Sequence, residues 1–185
     1  FHLPSINQFA SLLVLSITNA IFQLLLIPIL IHNTDNGKLG SYFISLSYSV
    51  LLSILVNFGT SQTAVVELRK AETNESFQEV IVETLAIRTL PLVVSIIFTL
   101  VVSIFASNGL YFLLVIPILL SEYINPQFYL IATYKVKMFA VYNFLFRFAL
   151  IAVVYYIRSN KNLIEITILI SGLMMLLQNI LYLPT

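Results

Sequence analysis

The sequence predicts an all-α, polytopic membrane helix bundle of six transmembrane helices, on three observations. Hydrophobic residues make up 59% of the 185, against about 45–50% in a typical soluble domain. Charged residues make up only 9%, where about 25% is usual. The apolar residues fall into six stretches, at 6–31, 42–66, 80–106, 110–133, 138–157 and 163–183. Each is about as long as the ~20 residues a helix needs to cross the hydrocarbon core. Lipid satisfies no backbone group, so only helices or a closed barrel can span it, and these runs are too long and unbroken for barrel strands. The short connections make neighbouring helices antiparallel.

The formal charge of +1 gives no reason to expect nucleic acid or an acidic soluble partner. The absence of cysteine excludes disulfides, thiolate metal sites and covalent haem attachment. No glycine-rich phosphate loop, histidine pair at metal spacing or nucleophile elbow occurs, and His2 and His32 lie at the chain start and in a loop. No cofactor is therefore expected, and no metal. The first stretch is longer than a signal-peptide core and lacks a small-residue cleavage site, so it reads as a span. The chain begins at Phe1 and ends at Pro184-Thr185, where the sixth helix should leave the bilayer, and it reads as part of a longer protein. With a cytoplasmic N-terminus, the inner loops hold Arg69, Lys70, Lys135 and Lys137 and the outer ones Lys38, Arg158 and Lys161, a slight excess for that orientation.

In the first helix Gln8, Asn19 and Gln23 share one face at 100° per residue, a face expected to avoid lipid. The segment from His32 to Gly40 (HNTDNGKLG) is rich in turn formers and should close a hairpin. Helix two carries Ser45, Ser49, Ser53, Asn57 and Ser61 at four-residue spacing, a row that admits another backbone closely or contacts a substrate. The strongly polar segment from Glu67 to Glu79 separates helices two and three. Ser76-Phe77-Gln78-Glu79 has the form of a capping box, placing a helix start there. Glu75, Glu79 and Glu83 form a solvated or headgroup-facing stripe. Asn74-Glu75-Ser76 is a glycosylation triplet, discounted because this loop is expected to be cytoplasmic. Arg88 and Pro91 interrupt helix three, and Pro117, Glu122 and Pro126 interrupt helix four, where Pro126 leaves the Glu122 carbonyl without its usual partner. Asn143 and Arg147 lie one turn apart on helix five. Ser171, Gly172, Gln178 and Asn179 on helix six read as packing residues.

The charges within the spans carry the chemistry. An ionisable residue at the bilayer centre costs about 2.5–3.5 kcal/mol on insertion scales. At a rise of about 1.5 Å per residue, Arg88, Arg147 and Glu122 lie roughly 12, 14 and 17 Å from the cytoplasmic ends, in one layer. Two readings follow. Glu122 and Arg147 form a buried pair that sets helix register while Arg88 snorkels to the headgroups. Or both arginines line a water-filled, net cationic cavity for an anionic group, with Glu122 free to bind a coupling cation.

Several stretches resemble the polysaccharide-export branch of the multidrug, oligosaccharidyl-lipid and polysaccharide flippase superfamily, the Wzx-like flippases of O-antigen or capsule repeats. Lys38-Leu39-Gly40-Ser41-Tyr42-Phe43 resembles the family's loop into helix two. Asn57-Phe58-Gly59-Thr60 is similar to its Asp-Phe-Gly-Leu-like element, with Asn57 in place of the acid. Pro126-Gln127-Phe128-Tyr129-Leu130-Ile131-Ala132-Thr133-Tyr134-Lys135 resembles its Pro-x-Trp-Leu-x-Gln-Gly pattern, with Phe128 for Trp and Ile131-Ala132 for Gln-Gly. Arg147 sits where the family often has an arginine in helix five. The resemblance implies that this chain is one six-helix lobe, the N-terminal half of a MATE-like V-shaped transporter in the bacterial inner membrane. It implies flipping of an undecaprenyl-pyrophosphate-linked oligosaccharide, with no bond made or broken. The diphosphate would be drawn by Arg88 and Arg147, and the sugars would bond to Asn19, Gln23, Asn57 and Asn143. Glu122 would couple the cycle to H+ or Na+. Membrane lipids, and a glycan polymerase or glycosyltransferases, are the partners so implied. The alternatives are a drug/cation antiporter of the same superfamily, which would use embedded acids more than arginines, and a membrane-embedded glycan-assembly enzyme or scaffold.

Overall fold

A computed structural model describes the backbone of residues 6–71 and 73–182 and the side chains of 10–71 and 73–182. The described residues are all-helical, in nine segments: α1 (Ile6–Asn33), α2 (Asn36–Asn57), α3 (Thr60–Lys70), α4 (Asn74–Phe105), α5 (Gly109–Leu113), α6 (Ile116–Tyr123), α7 (Gln127–Ala132), α8 (Val136–Tyr156) and α9 (Leu163–Leu181). These compose six helices long and apolar enough to cross a membrane, so the chain is a multi-pass membrane protein. Apolar side chains such as Leu24, Leu51, Leu90 and Ile104 point outward, as lipid-facing positions require.

Two spans are broken, and their sequences say why. The second is α2 followed by α3, with Phe58 and Gly59 both in the left-handed region at φ 44° and 72°. Gly59 adopts that conformation without steric cost, and Phe58 is held there as the residue that ends α2. The fourth span is α5, α6 and α7. Pro117 opens α6 and Pro126 precedes α7, each removing a donor that a continuous helix would need. The third span behaves otherwise: α4 runs without a break through Arg88 and Pro91, correcting the expected interruption.

The ends also depart from expectation. Asp35 caps α2, accepting from the Gly37 amide at 3.3 Å, so most of the expected 32–40 loop is helix and Lys38 lies in its first turn. The capping box exists but is built by Thr73 and Ser76 rather than Ser76 and Glu79, and it starts α4 at Asn74. Glu75, Glu79 and Glu83 are exposed, as a solvated stripe should be.

Chain order does not give the packing order. The α8 helix lies along α1 and against α9; α9 lies along α6; α6 packs on α2 and α4. Although a two-residue turn joins α1 to α2, the two make only sparse contact. One core, with Phe22, Leu26, Leu30, Val115, Leu119, Leu150, Val154 and Ile164, lies toward the end that carries the 34–35, 106–108 and 157–162 connections. That end is tied by Lys38, whose Nζ donates to the Lys161 carbonyl at 2.7 Å and lies 3.8 Å from Glu165, which also accepts from the Tyr111 hydroxyl. Toward the other end the core divides into a cluster around Leu15, Leu130 and Phe139 and another around Leu68, Ile81 and Phe128. The cleft described below opens where the core divides.

Gly172 on α9 lets α6 approach closely: a Cβ there would stand 3.0 Å from Pro117 Cβ and 3.1 Å from the Ile118 amide nitrogen. Gly172→Val is expected to destabilise the bundle by about 1–3 kcal/mol through overpacking, measured by thermal unfolding in detergent.

Candidate functional site

Arg88 is fully buried, at 0% exposure, and lines neither chamber of the cleft described below. Its guanidinium makes six hydrogen bonds. Nε donates to Thr60 Oγ1 at 2.7 Å, and Nη2 to Ser61 Oγ at 2.8 Å and Asn57 Oδ1 at 3.3 Å. Nη1 donates to the carbonyls of Glu122, Tyr123 and Asn125 at 3.2–3.5 Å. Phe128 closes the remaining side, its ring centroid 5.1 Å from Cζ. The expectation that Arg88 faces a water-filled cavity is therefore corrected, as is the alternative that it snorkels. Both helix breaks strand polar groups inside the bundle, and a planar cation with five N–H donors reaches them together. The Glu122 carbonyl is the group that Pro126 leaves without its helical partner, and Arg88 supplies a donor to it.

Arg147 has a different environment. It is half-buried on α8, its Cζ 4.6 Å from the centroid of the Phe22 ring on α1. Among the described residues no carboxylate lies within 4 Å of it and no side chain or carbonyl accepts a hydrogen bond from it; the one ion pair is Lys38–Glu165. The expected meeting with Glu122 does not occur, because α8 packs on α1 and α9 instead of on α6. Both residues instead border a cleft on the bundle axis.

That cleft has two chambers. The larger, about 350 Å³, lies between α1 and α2 over α6 and α9, and Gln23, Ser49, Ser53, Asn57, Glu122, Arg147 and Ser171 contribute its polar lining. The smaller, about 200 Å³, is lined by Asn19, Asn125, Gln127, Asn143, Gln178 and Asn179. Glu122, Arg147 and Met175 border both, so the chambers adjoin. The Glu122 carboxylate accepts from Asn57 Nδ2 at 3.4 Å and Asn125 Nδ2 at 3.3 Å. Asn57 therefore connects the two charges, its oxygen on Arg88 and its nitrogen on Glu122.

The other expected residues sort as follows. Asn19 and Asn143 are brought together across α1 and α8, with Asn143 Nδ2 donating to Asn19 Oδ1 at 3.2 Å. Gln23 lines the larger chamber and Asn57 lies at its floor. The side chain of Gln8 lies outside the described residues. Ser49, Ser53 and Asn57 of the four-residue row face the cleft, while Ser45 is fully buried and bonds the Tyr42 carbonyl. Sequence reasoning missed Asn125, Gln127, Gln178 and Asn179 as cleft residues. The available signal was Gln178 and Asn179, two adjacent amides in an otherwise apolar span. Among the described residues no group of His, Cys, Asp and Glu is arranged to hold a metal ion.

An anion entering the larger chamber would meet an arginine that no acceptor among the described residues engages, beside hydroxyls and amides able to hydrogen-bond it. Comparison with family models, curated proteins and solved structures returned no match to the chain.

The two arginines are expected to separate under mutation. Arg88→Gln should destabilise the protein by about 3 kcal/mol or more, since several buried acceptors lose their donor, and Arg88→Lys should not restore it, because an ammonium cannot span the same acceptors. Arg147→Gln, which removes one aromatic contact, should cost no more than about 1–2 kcal/mol. Thermal melts of the purified variants decide this.

Proposed function

We propose that this chain is a six-helix lobe of a flippase for a lipid-linked oligosaccharide, carried on undecaprenyl pyrophosphate across the bacterial inner membrane. One observation carries the proposal: Arg147, alone among the embedded charges, borders the cleft with no hydrogen-bond acceptor or carboxylate partner among the described residues, its one close contact being the Phe22 ring. A guanidinium held this way binds a diphosphate oxygen by charge-assisted hydrogen bonds that are stronger than neutral ones. The amides and hydroxyls beside it suit the sugars. The sparse contact between α1 and α2 suits a ligand whose polyprenyl tail stays in the bilayer while its head enters sideways. The resemblance of the Asn57-Phe58-Gly59-Thr60 and Pro126–Lys135 segments to the flippase family supports the same reading. In it, Arg147 takes the phosphate, Asn19, Gln23, Asn57 and Asn143 are sugar contacts, and Arg88 holds the scaffold rather than the ligand. Alternating access would move this lobe against a second one.

A second reading, drug/cation antiport, is favoured by a single feature, the Glu122 carboxylate bordering both chambers. Binding of undecaprenyl pyrophosphate to the protein in nanodiscs, followed by native mass spectrometry, separates the two. Arg147→Gln is expected to weaken that binding at least tenfold, about 1.4 kcal/mol, and Glu122→Gln to leave it within a few-fold. Equal binding by the parent and Arg147→Gln would defeat the flippase reading. If Glu122 couples transport to H+ or Na+, Glu122→Gln should also make surface-glycan complementation of a flippase-deficient strain insensitive to the ion gradient.

A further inference from the structure

Away from the cleft, α1 and α8 lie side by side and begin at the same end of the bundle, and a groove of about 450 Å³ follows their line of contact from that end. Ala10 and Val14 of α1 form one wall, and Lys137, Ala140, Val141 and Phe144 of α8 form the other. The α8 set recurs at i, i+3, i+4 and i+7, a single helical face, and covers about 10 Å along the helix at 1.5 Å per residue. Ala10, Val14, Val141 and Phe144 are exposed and none borders the cleft, so the groove opens outward to lipid. The two alanines leave it deep. Phe144, packed on Phe148 with ring centroids 4.4 Å apart, bounds its far end. Lys137 is the one charge on the groove, and nothing answers it. No residue from 1 to 34 or from 123 to 164 is acidic, so neither helix can supply a counter-ion. The single acid of α9, which also packs on α8, is Glu165 at the opposite end, paired with Lys38. Nor does Lys137 serve its own helix: it lies in the first turn of α8, where a cation opposes the helix dipole.

We infer that this groove binds an anionic phospholipid, with one acyl chain lying along it and the phosphate at Lys137. A channel with apolar walls that runs parallel to the helices suits an acyl chain. A lone cation at its mouth, where the helices begin and the membrane surface lies, suits a headgroup of net negative charge. The long lysine stem reaches that surface while its methylenes stay on apolar walls. A zwitterionic headgroup brings an ammonium of its own and gains less from Lys137. A second copy of the chain seated here by two-fold symmetry would present the same surface and bring two unanswered cations together, with no acid on either helix to relieve them. The inference is independent of the flippase reading, since the groove and the cleft share no lining residue.

The chain has no tryptophan, so Phe144→Trp places a single fluorescent reporter on the groove wall, and Val141→Trp, on the same face, is a second should the first fail to fold. The full chain is reconstituted in vesicles of phosphatidylcholine containing a minor fraction of either phosphatidylglycerol or phosphatidylcholine with brominated acyl chains, which quench tryptophan on contact, and without undecaprenyl pyrophosphate. Brominated phosphatidylglycerol is expected to occupy the site about fivefold more tightly than brominated phosphatidylcholine, the preference one lysine near the surface supplies. Adding Lys137→Gln should bring the two lipids to within twofold of each other, Lys137→Arg should keep the preference, and Lys161→Gln, near the opposite end, should leave it unchanged. Equal quenching by the two lipids in the parent reporter, or a preference that survives Lys137→Gln, overturns the inference. A reporter that neither lipid quenches also overturns it, because protein then covers the groove.

Discussion

The six hydrogen bonds of Arg88 are the constraint on which the rest depends. Two spans of this bundle are interrupted, one at Phe58-Gly59 and one at Asn125-Pro126, and each interruption exposes polar groups where water is scarce. Irregular backbone survives at that depth only when buried in protein or lining a cavity. Arg88, carried on the unbroken α4, reaches both interruptions with one guanidinium. The unbroken helix thus acts as a strut between two broken spans, and the cation it carries is solvated by carbonyls, hydroxyls and the Asn57 amide without a direct carboxylate contact. That solution leaves Glu122 and Arg147 available elsewhere.

The placement of the cleft follows from the same division of labour. Packing of α8 on α1 and α9 carries Arg147 away from α6, so the two opposite charges border one space without closing it. The large apolar core and the Lys38–Glu165–Tyr111 contacts hold one end shut, while at the other end the core splits and polar side chains take its place. An embedded lining of seven polar residues in the larger chamber and six amides in the smaller is expensive in lipid unless a polar ligand or water uses it.

Much of the fold was legible from residue pattern alone. Six apolar runs of bilayer length gave the six spans, and Pro117 and Pro126 announced the broken fourth one, because proline acts locally and its effect needs no tertiary information. The break at Gly59 was less visible, since glycine permits a left-handed turn without demanding it. Pro91 misled for the opposite reason: a helix accommodates one proline when its packing holds on both sides, and nothing local to α4 reports that. The capping box lay three residues from its expected place because Thr73 and Ser76 can bond reciprocally through hydroxyls, a variant the Ser-x-x-Glu pattern does not contain. For the site, periodicity identified Asn19, Gln23, Asn143 and Arg147 as facing inward, but it could not tell Arg147 from Arg88. Both are arginines in apolar helices at similar depth. What separates them is the supply of acceptors from other segments, which depends on which helices touch.

Asn57 sits between a fixed cation and a carboxylate, and an amide has only one oxygen and one nitrogen to present. Its orientation is therefore dictated: rotating it by half a turn would aim its amino group at Arg88 and its oxygen at Glu122, opposing both neighbours. Any occupant that draws the Glu122 carboxylate away releases one end of this lever while the other stays anchored at the bend after α2. Asn57 thereby ties the carboxylate bordering the cleft to the bend after α2 through a side chain that itself carries no charge.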